Sequence, residues 1–436
     1  MSETGKPIRP KERKTVVQAL RAGVVPRVGL HHIQVGRSEE LSQMNDDIDL
    51  IADGGATIRL IIGDYGAGKT FFLNLVRLIA MEKGLIVVGA DLAPDRRLHA
   101  SAGQARSLFS ELVRNMSTRT KIDGGALSSV VERFVFQTTK EADAEGGKVQ
   151  RLISERLAPL EDLVSGHDFT KAVTEYFRGA TAGNDDRKSA ALKWLGAGYS
   201  AKTDARKDIG VRNIIDDANI YDYLKLYSQF ARTAGYGGLL VVLDEMVNLY
   251  KLNSARARNS NYEQILRIFN DVLQGSAGHI GFIMGGTPEF LMDTRRGLYS
   301  YEALQSRLAE NRFADGESRD LSGPVIRLAN LAPEELYVLL RNIRHVFAGG
   351  DQNKYLLPDE ALSAFMNHCA GRIGSSYFQT PRTSVKAFVD LLSILEQHPR
   401  KDWRDLIDAM QVEKDADPAD GATERKDEDD LSEFTL

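Results

Sequence analysis

The sequence predicts a doubly wound α/β fold on a parallel sheet, and three observations predict it. A β-rich run, "TIRLII" (57–62), leads into the glycine loop "GDYGAGKT" (63–70), then a helical stretch, then a second apolar run, "LIVVGAD" (85–91). That order is a βαβ unit, whose two strands lie parallel. Another apolar run, "GGLLVVLDE" (237–245), ends in adjacent carboxylates, as expected at the carboxyl edge where open α/β sheets bind ligands. Two more β-rich runs, "GHIGFIMGGTPEF" (278–290) and "GPVIRLANL" (323–331), bring the strands to five.

The elements follow in order. Residues 1–20 read as a flexible basic arm, since the first fourteen carry five Lys or Arg against two Glu. In "VGRSEELSQMNDDIDLIADGG" the side chains Leu41, Met44, Ile48 and Ile51 recur at helical spacing and Gly54-Gly55 closes the helix. After the glycine loop, "TFFLNLVRLIAMEKG" continues as a helix to Gly84. The long interval of about 92–236 holds only two prolines, Pro94 and Pro159, and amphipathic sets such as Leu108, Phe109, Leu112, Val113 and Met116, or Tyr221, Leu224, Tyr227 and Phe230. It reads as a mostly helical insertion between the second and third strands, inside a core of 21–331. Past Pro333, "EELYVLLRNIRHVF" and "SVKAFVDLLSILEQ" predict an α-helical cap over 332–410, and 411–436 reads as an acidic disordered tail. No internal repeat is visible.

Bulk properties narrow the class. The 436 residues are 42% hydrophobic and 27% charged, ordinary for a globular protein. No apolar run approaches the roughly 20 residues that cross a bilayer, and the amino terminus has no apolar core behind its charges, so neither a membrane role nor a secretory signal is expected. The single cysteine, Cys369, forbids an internal disulfide and a cysteine-rich metal site, and a cytoplasmic location fits. Net charge is −5; the segment from Glu413 onward carries ten acids against three bases, a local −7, which leaves +2 on the body. An acidic tail on a slightly basic body fits nucleic-acid binding and fits a solubilising tail equally.

The glycine loop is the strongest chemical signal. Backbone N–H groups from Tyr65 to Thr70 can turn inward around a β-phosphate at the positive end of the following helix. Gly63 opens the loop, Asp64 and Ala67 complete it, and glycine at 66 and 68 lets the backbone approach the ligand. Lys69 would reach the β and γ oxygens and Thr70 would ligate Mg²⁺. The competing reading is a glycine-containing turn that matches by chance. At the end of the third strand Asp244 is placed to hold Mg²⁺ through water, and Glu245 to orient and polarise a hydrolytic water; capping the next helix is the alternative. Thr287, after the fourth strand, either positions the same water or merely leaves the strand in a Thr-Pro turn. Arg307, Arg312 and Arg382 are candidates to stabilise charge on the γ-phosphate. An exposed surface residue is the alternative for each.

These motifs in this order resemble the AAA+ ATPases, P-loop NTPases, and especially the branch with origin-recognition initiators and helicase loaders. In "VGRSEEL", Gly36-Arg37 falls where that branch borders the adenine; the two Walker motifs are the loop at 63–70 and the strand ending Asp244-Glu245. The resemblance implies that Thr287 is the first sensor, Arg382 the second and Arg307 the arginine finger, with Arg312 its rival. A closer likeness, to the BREX-associated ATP-binding proteins called BrxD, lies in "ALRAGVVPRVGLHHIQVGR", "GDYGAGKTFFLNLVR", "ALKWLGAGY", "YDYLKLYSQFARTAGYGGLLVVLDE" and "TPRTSVKAFVDLL". It implies an ATPase using ATP and Mg²⁺ that forms a homo-oligomer on binding ATP and remodels or loads a partner, such as an Lhr-type helicase, on double-stranded DNA in anti-phage defence.

Two departures limit what carries over. The insertion is large, and no winged-helix domain fits beyond residue 410. DNA contact would then come from the amino-terminal arm, an oligomeric pore, or the insertion's basic stretch (Arg187, Lys188, Lys193, Lys202, Arg206, Lys207, Arg212), which a solvated helix face explains equally. The alternative function is a STAND-like nucleotide-dependent signalling switch with slow hydrolysis and no direct DNA role. A small-molecule kinase is disfavoured because the paired carboxylates favour attack by water.

Overall fold

The structure, a computed structural model, describes residues 7–313, 319–373 and 381–410; the acidic stretch 411–436 lies outside them. In chain order the elements begin with α1 (Pro10–Arg21), α2 (Ser38–Ala52), β1 (Ala56–Ile62), α3 (Lys69–Glu82) and β2 (Ile86–Asp91). Seven helices follow: α4 (Gln104–Arg114), α5 (Leu127–Glu145), α6 (Val149–Glu161), α7 (Gly166–Ala182), α8 (Asp185–Leu195), α9 (Lys202–Ile209) and α10 (Ile220–Thr233). Next come β3 (Leu239–Asp244), α11 (Val247–Tyr250), α12 (Ala255–Leu273), β4 (Ile280–Gly286), α13 (Pro288–Met292), α14 (Glu302–Arg307) and β5 (Val325–Arg327). The chain continues as α15 (Pro333–Phe347), α16 (Asp359–Ile373), α17 (Pro381–Gln397) and α18 (Trp403–Asp408).

The larger of two compact units spans Gly36–Asp64 and Gly68–Ala329. Its sheet is five-stranded, in the order β2-β3-β4-β1-β5, and every pairing is parallel. Parallel strands are covered on both faces and so read as continuous apolar runs; the six residues of β3, LLVVLD, are all buried. Alternate side chains serve opposite layers. Ile58, Leu60, Val241, Leu243 and Phe282 join a core with Phe109 of α4, Tyr221 of α10 and Phe269 of α12. Ile61, Val87, Leu240, Val242 and Ile283 face Met44 and Ile48 of α2 and Phe72 and Val76 of α3. A buried ion pair ties α2 to β1: Arg59 Nε donates to Asp47 Oδ2 at 2.6 Å and Nη2 to Oδ1 at 2.7 Å.

Between β2 and β3 the chain packs its helices around aromatics. Phe169 meets Tyr227 and Phe230 edge-on, with centroids 5.2 and 5.4 Å apart, and Trp194 meets Tyr223 at 5.6 Å. Glu175 of α7, 2% exposed, takes Lys171 at 3.1 Å, Arg178 at 2.7 Å and Arg187 as partners.

The second unit comprises the described parts of Met1–Val35 and Asn330–Leu436, with Tyr65–Ala67. Within it, residues 10–21 form a helix inside the stretch whose composition suggests a flexible arm. Two facts explain the helix. Pro10 occupies its first turn, where a missing N–H costs nothing. Its basic side chains also find partners on α17: Arg13 Nη2 donates to Glu396 Oε1 at 2.8 Å and Arg21 lies 3.2 Å from Asp390. Val16 is fully buried. α15 starts at Pro333 after Ala332, whose N–H donates to Glu335 Oε2 at 2.9 Å.

Candidate nucleotide-binding site

The glycine loop connects β1 to α3. Gly66 and Gly68 have φ of 80° and 87°, the left-handed region that glycine enters without strain. No atom lies within 4 Å of where a Cβ on Gly68 would sit, so backbone conformation rather than space demands glycine there. α3 begins at Lys69, which aims its free N–H groups and positive dipole end toward the loop. Lys69 Nζ donates to the carbonyls of Gly63 at 2.8 Å and Asp64 at 2.9 Å. Burial lowers the Lys69 pKa, opposed by the charges of Asp244 and Glu245.

The sheet brings the paired carboxylates to the same edge. β4 lies between β1 and β3, with Ile62 opposite Gly286 and Leu243 opposite Met284. Thr70 Oγ1 donates to Asp244 Oδ2 at 2.8 Å, and the Glu245 N–H donates to Asp244 Oδ1 at 2.8 Å. Asp244 is buried at 7% exposure. Burial raises its carboxyl pKa, and the charge of Asp91 adds to that, against the two hydrogen bonds. Burial likewise raises Glu245, followed by the charges of Asp244 and Asp91. Glu245 has φ of 56°. A non-glycine residue held there costs of order 1–3 kcal/mol, and the neighbouring Met246 N–H, bonded to Gly285 O at 3.0 Å, fixes the turn.

The remaining predicted residues are placed as follows. Thr287 caps α13, its Oγ1 accepting the Phe290 N–H at 3.4 Å; the hydroxyl proton stays available to donate elsewhere. Arg307 Nε donates to Asn270 Oδ1 at 3.0 Å and Nη1 to Ala303 O at 2.7 Å, while Arg312 is exposed. Gly36 and Arg37 are consecutive left-handed residues, both with φ of 64°, at the start of α2. The Arg37 guanidinium donates to Ala329 O and lies 3.7 Å from Glu40. In the other unit, Arg382 Nη1 donates to Tyr65 Oη at 2.9 Å. Lys69, Thr70, Asp244 and Glu245 thus converge; Arg37 and Arg307 are engaged by their own surroundings.

Two residues escaped the sequence reading. Asp91 ends β2 in register with Asp244 and pushes both acids up; the signal was there, since "IVVGAD" ends in a carboxylate just as "LLVVLD" does. Gly285 backs Asp244, because a Cβ on it would stand 2.4 Å from Asp244 Oδ1.

A hydroxyl and a carboxylate are oxygen donors suited to Mg²⁺, which takes one or two protein ligands and fills its shell with water and phosphate oxygens. The Thr70–Asp244 pair fits that requirement. Among the described residues no group of three or more His, Cys, Asp or Glu could hold a metal by itself. No helix among them is long and apolar enough to cross a membrane.

The family model described as BREX system ATP-binding protein BrxC/D matches residues 8–411. No curated protein matches the chain. With a glycine loop on a five-stranded parallel sheet and a family match over nearly its whole length, the chain belongs to the BREX system ATP-binding protein BrxC/D family.

Proposed function

We propose that the chain binds ATP with Mg²⁺, hydrolyses it, and uses the cycle to assemble and to remodel or load a partner, a helicase by preference, on DNA during defence against phage. The observation that carries the reading is the bond from Thr70 Oγ1 to the Asp244 carboxylate with Glu245 next in the chain. It joins a phosphate loop to a water-activating acid at one sheet edge. Lys69 and the loop N–H groups hold the β- and γ-phosphates. Thr70 and Asp244 hold Mg²⁺, which when bound neutralises charge on those oxygens. Glu245 orients the attacking water and accepts its proton. The Thr287 hydroxyl donates to the same water or to the γ-phosphate. Arg382, and Arg307 or Arg312 of a neighbouring copy, would supply positive charge as the bond to the leaving phosphate breaks.

Glu245→Gln is the test. It removes the proton acceptor and keeps the shape, so ATP affinity should persist while turnover falls about 100-fold or more and light scattering with ATP shows a trapped assembly. Wild-type turnover in that variant would refute the assignment. Turnover that does not depend on protein concentration, with tightly retained ADP and no response to DNA, would favour the solitary signalling switch.

A further inference from the structure

Seven Lys or Arg lie between Arg187 and Arg212, and the structure divides them. Arg187 pairs with buried Glu175, and Lys188 with Asp185 at 3.1 Å. The other five have no acidic partner among the described residues. Lys193 sits over the Tyr199 ring, 4.2 Å from its centroid, and Lys202 Nζ donates to the Asn213 amide oxygen at 3.3 Å. Arg206, Lys207 and Arg212 are exposed and form no ion pair with a described residue. These cations lie on or beside α9. α9 carries three of them; Lys202 reaches the residue beside Arg212; and Tyr199 Oη donates to Asp208 of α9 at 2.7 Å, which brings Lys193 alongside.

The face around α9 is held in shape from beneath. Ala205 and Ile209 of α9 are buried. Asp168 accepts the N–H groups of Arg212 and Asn213 at 2.8 and 3.0 Å, and Trp194 Nε1 donates to Asn213 O at 2.9 Å. Asp204 and Asp208 offset two of the five charges. Among the described residues no large hydrophobic side chain between Val164 and Leu273 is exposed. A protein partner needs buried aromatic or aliphatic anchors, and lysine is depleted at such interfaces. A phosphate backbone needs only cations held in position.

We propose that this face, centred on α9, contacts the backbone phosphates of duplex DNA. It deepens the reading above by saying where DNA is touched, and it rests on that reading for the choice of DNA as the polyanion. The full chain with Lys202→Ala, Arg206→Ala and Lys207→Ala combined is compared with wild type by fluorescence anisotropy on a labelled duplex of about 30 base pairs, across roughly 50–200 mM salt. Each phosphate contact contributes about 0.9 to the slope of log K against log salt, so the triple variant should lose about 2.7 of slope and at least tenfold in affinity. Its melting curve and DNA-free ATP turnover should match wild type, and Lys188→Ala should bind like wild type. Unchanged slope and affinity in a folded triple variant would overturn the proposal. So would a wild type that ignores the duplex, prefers RNA, or binds polyglutamate as well. Failure of Glu245→Gln to stop turnover would sink the catalytic reading and leave this salt slope unaffected, so the two are separable.

Discussion

Gly285→Ala tests whether catalysis depends on the seat of Asp244. The new Cβ would lie 2.4 Å from Asp244 Oδ1, 3.0 Å from Leu73 Cδ1 and 3.3 Å from Asp244 Cγ, where ordinary contact begins near 3.4 Å. The carboxylate must therefore retreat by about 1 Å, the shortfall from normal packing distance. It has nowhere easy to go, because Asp244 is buried and both its oxygens are engaged at 2.8 Å, by Thr70 and by the Glu245 N–H. A retreat of that size breaks one of those bonds. Overpacking of this kind costs about 1–3 kcal/mol of stability, and a 1 Å displacement at a reacting centre costs up to about 100-fold in rate. The assay is ATP turnover at saturating ATP beside thermal melting. Gly281→Ala on the same strand is the control: its Cβ would meet Ile51 Cδ1 at 2.3 Å and Leu240 Cδ1 at 3.0 Å, in the layer under α2. That variant should lose stability and keep its turnover. Wild-type turnover in Gly285→Ala would refute the reasoning, as would an equal loss in the control.

Two further predictions concern Thr287 and Glu175. Thr287→Asn keeps a competent N-cap, whereas Thr287→Ala forfeits about 1 kcal/mol; if the hydroxyl acts on water or phosphate, Thr287→Asn melts like wild type yet turns over at least tenfold more slowly, and unchanged turnover reduces the residue to a cap. Burial alone would raise the Glu175 pKa, but hydrogen bonds and charge from Lys171 and Arg187 outweigh it and the net shift is downward. A depressed acid stabilises the fold above its unfolded pKa of about 4.3 and loses that contribution as pH falls through the folded value. Glu175→Gln should therefore destabilise the protein by about 2 kcal/mol at neutral pH, with the gap in melting temperature closing as the wild type is acidified below pH 4 or so. A gap independent of pH would contradict the assignment.

How much of this was legible in the sequence depends on the range of the interaction. The glycine loop could be read locally, since Gly66 and Gly68 answer a demand of their own backbone. The strands could be read as apolar runs, since a sheet covered on both faces admits little else. Residues 10–21 read as an arm because the acids that neutralise Arg13 and Arg21 are Glu396 and Asp390, at the other end of the sequence. In the basic stretch the string of letters is equally cationic at Arg187 and Arg206; among the described residues the fold supplies Glu175 to the first and no acid to the second. Gly285 is silent for the same reason, because the atom it avoids belongs to the neighbouring strand. Asp91 and Asp244 make the sharpest case. Both end apolar strands, and by local pattern either could be the acid that faces the glycine loop. The order β2-β3-β4-β1 decides between them, since it leaves β2 one strand farther from the loop and lets Thr70 reach Asp244. A pattern names the chemistry a strand end can do; which strand end does it follows from the order in which the strands pair.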